Sequence, residues 1–173
     1  MKIVLTGINK GCYSTGAGID KLYVFDYNDI NTKTVDITTK IHLDGFVLAS
    51  GKKGVTFELP LNTASLVATA QISETRFFEN VLTIKFSEIS ALLRGQIMSL
   101  AKGDSFIVVK TNAGKLLCLG LFFPVKVTDV TMNTGMQLGD AIGFDLTLTD
   151  YSSTKPVEFD ETAIGALITT FIK

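Results

Sequence analysis

Most of this chain repeats with a period of two residues, and one segment repeats with the period of a helix. That contrast restricts it to a mainly β fold with one flanking helix. Lys21–Tyr27 is dense in Leu, Tyr, Val and Phe, side chains that suit a pleated, half-buried surface. Val35, Ile37, Thr39 and Ile41 alternate with polar neighbours, and Val55, Phe57 and Leu59 alternate and stop at Pro60. Leu66, Ala68, Ala70 and Ile72 set one apolar face along a long segment. Phe78, Leu82, Ile84 and Phe86 do the same, with Asn80 as an interruption. Asp44-Gly45 and the run from Ser50-Gly51 to Gly54 read as turns between these segments.

Ile89, Leu92, Leu93, Ile97 and Leu100 fall on one helical stripe, so the spacing predicts a helix over Ser87–Lys102. Ser87 stands where an N-cap hydroxyl accepts a free backbone N–H. Glu88 complements the positive helix end, and Gly103 follows Lys102 as expected at a C-terminus. Gly95 inside the helix costs about 1 kcal/mol against Ala and leaves room for another segment to approach.

Strands resume at Ser105–Lys110 and Lys115–Phe123, joined through Thr111-Asn112-Ala113-Gly114 as a hairpin in which Gly114 takes positive φ. Val125–Met132 follows Pro124. Ile142–Thr149 and Pro156–Phe159 flank Tyr151-Ser152-Ser153-Thr154 as a second hairpin. Phe106–Val109 and Leu116–Phe123 are apolar on both faces, and Phe144–Leu148 is so less completely. Such strands predict a β-sandwich or barrel whose outer face is also covered. The expected organisation is an N-terminal arm over 1–20, a β-sandwich domain over 21–160, and a C-terminal arm or last strand over 161–173. Ile168, Thr169, Thr170, Phe171 and Ile172 favour an extended tail, suited either to a neighbour's sheet edge or to its own.

Composition asks what covers the apolar faces. The 173 residues are 46% hydrophobic and 19% charged, with a mean hydropathy of +0.35, against roughly 25% charged in an average soluble domain. The longest apolar run, Leu116 to Val125, is interrupted by Gly120 and Pro124 and falls short of the ~20 residues of a spanning helix. No membrane partner is expected. A subunit that hides apolar surface against other copies is the expectation. Its candidate interface residues are Ile89, Leu93, Gly95 and Ile97 on the helix, with Ile168, Phe171 and Ile172 on the tail. The formal net charge of −1 encodes no bulk grip on nucleic acid.

Little of the sequence points to chemistry. His42 is the only histidine and reads as a surface or turn residue, so neither a nucleophilic triad nor a histidine zinc site is assembled. Gly11-Cys12-Tyr13-Ser14-Thr15-Gly16 has phosphate-loop spacing, but Ala17 stands where the lysine belongs, and the segment reads as a flexible loop. Cys12 and Cys118 read as two reduced, buried thiols. The acidic residues, among them Asp44, Asp104, Asp140 and Asp150, lack calcium-loop spacing and read as turn formers. The chain is read as no enzyme, and no catalytic, cofactor or metal residue is assigned.

The order of elements carries a resemblance. A Gly/Cys-containing N-terminal loop precedes "LYVFDYNDI", then comes "VLTIKFSEISALLRGQIMSLAKGDSFIVVKTNAGKLLCLG", and the end is "TGMQLGDAIGFDLTLTDYSSTKPVEF". This resembles the structural ring and neck-tail proteins of tailed phages of gut Bacteroidales, especially crAss-like phages. The resemblance implies a tail-tube-like β-sandwich or barrel flanked by a helix. It implies homo-oligomeric rings, six-fold or twelve-fold, stacked with neighbouring tail and neck proteins around double-stranded DNA, in a virion made in the bacterial host cytoplasm. The chain departs from that pattern in lacking a long, charged β-hairpin arm, which bears on how rings would stack. Alternatives are a capsid decoration or cargo protein, and a small β-barrel ligand-binding module.

Overall fold

The computed structural model describes residues 16–36, 42–72, 76–137, 139–159 and 168–172. The strands are β1 (Ile19–Asp26), β2 (Ile30–Asp36), β3 (His42–Leu48), β4 (Gly54–Glu58), β5 (Ala64–Ile72), β6 (Arg76–Phe86), β7 (Ser105–Thr111), β8 (Leu116–Leu119), β9 (Lys126–Asn133), β10 (Gly143–Ser152), β11 (Val157–Phe159) and β12 (Ile168–Ile172). The helix α1 spans Ala91–Lys102. An eight-stranded sheet runs β12-β4-β1-β7-β8-β11-β3-β2, and a four-stranded sheet runs β5-β6-β10-β9. The chain is therefore mainly β with one helix, as the periodicities predict.

Two cores form because the central strands of the large sheet are apolar on both faces. On β7, Ile107 and Val109 point into a core shared with Leu82, Ile84, Leu146 and Leu148 of the small sheet. Phe106 and Val108 point the opposite way, into a second core with Phe25, Leu43, Phe46, Cys118 and Phe159. That second core lies within the large sheet itself. Phe46 on β3 sits 5.0 Å from Phe25 on β1 and 5.0 Å from Phe106 on β7, ring centre to ring centre. β3 and β1 are four places apart in the strand order, which in a flat sheet would separate them by about 19 Å. The large sheet thus rolls until its far strands face each other. The doubly apolar strands find both covers inside their own chain.

Several local expectations shift. Ser90, not Ser87, caps the helix: its backbone is extended (φ −113°, ψ 155°) and its hydroxyl accepts the Leu93 N–H at 3.2 Å. The helix begins at Ala91, and Leu93, Ile97 and Leu100 lie against the first core. Asp44 and Gly45 lie within β3, not in a turn. The pairing with β2 slips there, from Thr34 opposite Gly45 to Val35 opposite Leu43, which leaves Asp44 as the extra residue of a bulge beside the glycine. β8 ends at Leu119 because Gly120 turns at φ +87°, where a Cβ would stand 3.0 Å from the Ser105 carbonyl. The expected hairpin after β10 is instead a crossover. β11 enters the large sheet antiparallel to β8 and parallel to β3, burying Val157 and Phe159 in the second core while Glu158 stays at the surface beside Lys115 (3.3 Å). The expected hairpin at Gly114 is present, with φ +78°.

The ends also gain definition. β1 starts at Ile19, inside the arm expected over 1–20. Ala17 and Gly18 are held by the β7–β8 hairpin, since Asn112 donates its side-chain N–H to the Ala17 carbonyl (2.7 Å) and its backbone N–H to Gly18 (3.1 Å). Residues 1–15, with Cys12 and most of the glycine loop, lie outside the described residues, as do 160–167. β12 pairs in parallel with β4, Ile168 opposite Gly54 and Ile172 opposite Phe57. His42 opens β3, opposite Glu158 and Asp36 in register.

Candidate functional site

The helix residues singled out in the sequence divide between core and surface. Ile97 is 2% exposed and belongs to the first core, so it offers no surface to a partner in this fold. Leu93 is half-buried against the same core. Gly95 is open, with no atom within 4 Å of a Cβ built there, and Ile89 is exposed in the link before α1. Gly95, Leu92 and Gln96 form one wall of a cleft of about 390 Å³, and Val24, Val55 and Phe57 form the other. Ile168, Phe171 and Ile172 lie on β12, paired to the β4 edge.

One polar cluster is buried. Lys33 on β2 reaches across the roll and donates to the Gly120 and Leu121 carbonyls at 3.2 and 3.0 Å. Its ammonium lies 3.9 Å from the centre of the Tyr27 ring. Asp150 on β10 accepts an amide N–H from Asn80 on β6 at 2.8 Å. Burial pushes the Asp150 carboxyl above the ordinary carboxylate range, against the pull of Asn80, the Gly120 N–H and Lys33. Burial also lowers Lys33. The second oxygen of Asp150 and the amide oxygen of Asn80 are buried with no hydrogen-bond partner among the described residues. This cluster ties the far edge of the roll to the β8–β9 connection and the small sheet. It places no nucleophile beside a base. Among the described residues no three His, Cys, Asp or Glu side chains come together as a metal site. Cys118 is a free, buried thiol whose pKa burial raises.

The surface of most consequence is the small sheet. All its neighbours are antiparallel, and among the described residues no strand pairs with the outer side of β5 or of β9. β5 reads Ala-Ser-Leu-Val-Ala-Thr-Ala-Gln-Ile, nine residues with no charge, no proline and an unbroken register with β6. Val67 and Ile72 on it are 56% and 78% exposed. The Lys85 N–H bonds the Thr63 carbonyl, so by alternation Leu66, Ala68 and Ala70 turn their backbone groups away from β6. Protected edges carry charges, prolines, bulges or a cover, and β5 has none of the first three. The sheet face opposite the core carries Thr69, Thr83, Thr147 and Thr131. Its charged side chains include Glu79, Lys85, Asp129 and Asp145, with Lys85 beside Asp145 at 3.8 Å.

The periodicity showed β5 as a strand, but strand order alone makes it an edge. Its one advance signal was nine residues without a charge. No family model, curated protein or solved structure matches this chain.

Proposed function

We propose that this chain is a structural subunit, not an enzyme, and that it assembles with copies of itself into a closed ring through the edges of its small sheet. The observation that carries this reading is the uncharged, proline-free edge of β5, which no described strand covers. In an antiparallel sheet of four strands the two outer strands run in opposite directions. Rotation about a ring axis therefore brings β9 of one copy beside β5 of the next as an antiparallel pair, continuing the sheet. Closure pairs both edges of the small sheet. Six copies would place about 24 strands on a circumference of about 115 Å, a diameter of about 37 Å before strand tilt, wide enough for a DNA duplex. The threonine-rich face would line that opening. Three of the four charges named on it are negative, so it would not hold phosphates. Together with the resemblance to ring and neck-tail proteins of crAss-like phages, this supports a virion protein of the phage neck or tail.

Sedimentation velocity and negative-stain imaging of the purified protein test the reading. Closed rings are expected. A species of 18.7 kDa alone, at high concentration, refutes it. Ala68→Pro removes an outward N–H without touching the β6 ladder, and Val67→Lys adds an edge charge. Both are expected to abolish rings while leaving the far-ultraviolet circular dichroism unchanged.

A further inference from the structure

The two ends of the small sheet are unlike, and they fit each other. At one end, the connection between β9 and β10 carries Met136 into solvent, 95% exposed. Long apolar side chains at such exposure usually sit on loose loops, but this one is fixed. The Asp140 carboxylate accepts the N–H groups of both Met136 and Gln137 at 2.8 Å, and the Asn133 side chain accepts the Gly135 N–H at 2.9 Å. Those two N–H bonds hold the Asp140 carboxyl below its usual range. Ile142, also exposed, lies at the base of the same loop, near Gly135. The result is a preorganised apolar knob.

At the other end, ten residues of β10 away and thus about 30 Å distant, Phe77, Phe123 and Tyr151 line an open depression of about 590 Å³ with Arg76, Ser152 and Ser153. Phe77 and Tyr151 meet edge to face at 6.0 Å, and Phe123 and Tyr151 are exposed. Aromatic rings favour a thioether at their edges, and a loop backbone already held by hydrogen bonds loses little freedom on docking. The cup also holds a cation, Arg76, and the knob loop an anion, Asp140.

We propose that Met136 of one copy seats in the Phe77–Phe123–Tyr151 cup of a second copy of this chain, joining copies end to end along the strand direction. The contact is head-to-tail: each copy has one knob and one cup on opposite ends, so the association propagates and does not close as a dimer. This contact rests on the self-assembly reading above, and it would stack the rings proposed there.

The test is disulfide cross-linking in a Cys12→Ser background, mixing the Met136→Cys protein with the Ser153→Cys protein under mild oxidation. The expected result is a mixed covalent dimer formed far faster than either protein cross-links alone. Met136→Asp or Phe123→Asp should weaken end-to-end association about 30-fold, the factor for a hot-spot loss of about 2 kcal/mol. Self-linked Met136→Cys dimers in place of mixed ones, or no cross-link above background, overturn the proposal. Single-layer rings without the 136–153 link would refute this contact and leave the ring reading standing. Linked strings of copies without rings would do the reverse.

Discussion

The roll of the large sheet predicts a large cost for Phe46→Ala. Phe46 is buried, and it meets three rings from three other strands: Phe25, Phe106 and Phe159 at 5.0, 5.0 and 5.6 Å. No other contact so directly closes β3 over β1 and β7. Truncating a buried phenylalanine costs about 3–5 kcal/mol, and each aromatic pair carries about 0.5–1.5 kcal/mol beyond area. These overlap, so the expected loss is about 4 kcal/mol, a large share of a typical total of 5–15 kcal/mol. Phe46→Leu keeps most of the volume and should cost about 1–2 kcal/mol. The chain has no tryptophan, so urea unfolding is best followed by far-ultraviolet circular dichroism on dilute protein, with the dependence on urea unchanged. A loss below about 1.5 kcal/mol for Phe46→Ala refutes the reasoning. It would mean that the second core is not closed by the chain itself and that its apolar strands await a neighbour.

Other expectations concern single sites. Asp150→Asn keeps an acceptor for the Asn80 amide and removes a carboxyl whose charged form burial disfavours, a gain of about 1–2 kcal/mol at pH 7. Because burial raises Asp150 in the fold, its contribution to stability is full below its unfolded pKa and lost as pH rises through its folded pKa. The advantage of Asp150→Asn should therefore grow with pH, and an advantage that shrinks with pH in paired urea titrations would show an ionised Asp150 bound to Lys33. Gly143→Ala places a Cβ against the Phe86 carbonyl at φ +136°. It should cost about 2–4 kcal/mol, and a change under about 1 kcal/mol in the same unfolding assay would contradict the close approach. Asp140→Ala removes the acceptor of two backbone N–H groups and should speed hydrogen exchange at Met136 and Gln137 at neutral pH. Unchanged exchange would show that the carboxylate does not fix the loop.

Period-two and helical patterns carry through into strands and helix because they depend on local geometry alone. What misled was information that only tertiary structure holds. Ser87 and Ser90 both suit an N-cap, and only the seating of Ile97 in the core decides between them. Tyr151-Ser152-Ser153-Thr154 has the chemistry of a hairpin turn. Val157 and Phe159, however, gain more by entering the second core than by pairing with β10, so the turn leads from one sheet to the other. Asp44-Gly45 signals an irregularity correctly, but an irregularity inside a paired strand is a bulge. The surfaces that matter most were least visible. An edge is defined by which strand is missing beside it, and Met136 belongs to no periodic pattern.

The low charge content takes on a different meaning once the two cores are in place. The doubly apolar β7 and β8 suggested surfaces awaiting partners, yet the roll buries both of their faces within one chain, and Ile97 joins the first core. Assembly must therefore be argued from what remains outside the cores. That remainder is the backbone edge of β5 and exposed apolar side chains spread over several elements, among them Leu61, Leu92, Met98, Phe123 and Met136. Backbone edges give direction and register at little hydrophobic cost, while single anchors such as Met136 give affinity at defined points. In the assembly proposed above, the chain would join its neighbours through these contacts. Its association should then respond more to a proline or a charge on β5 than to the loss of any one buried side chain.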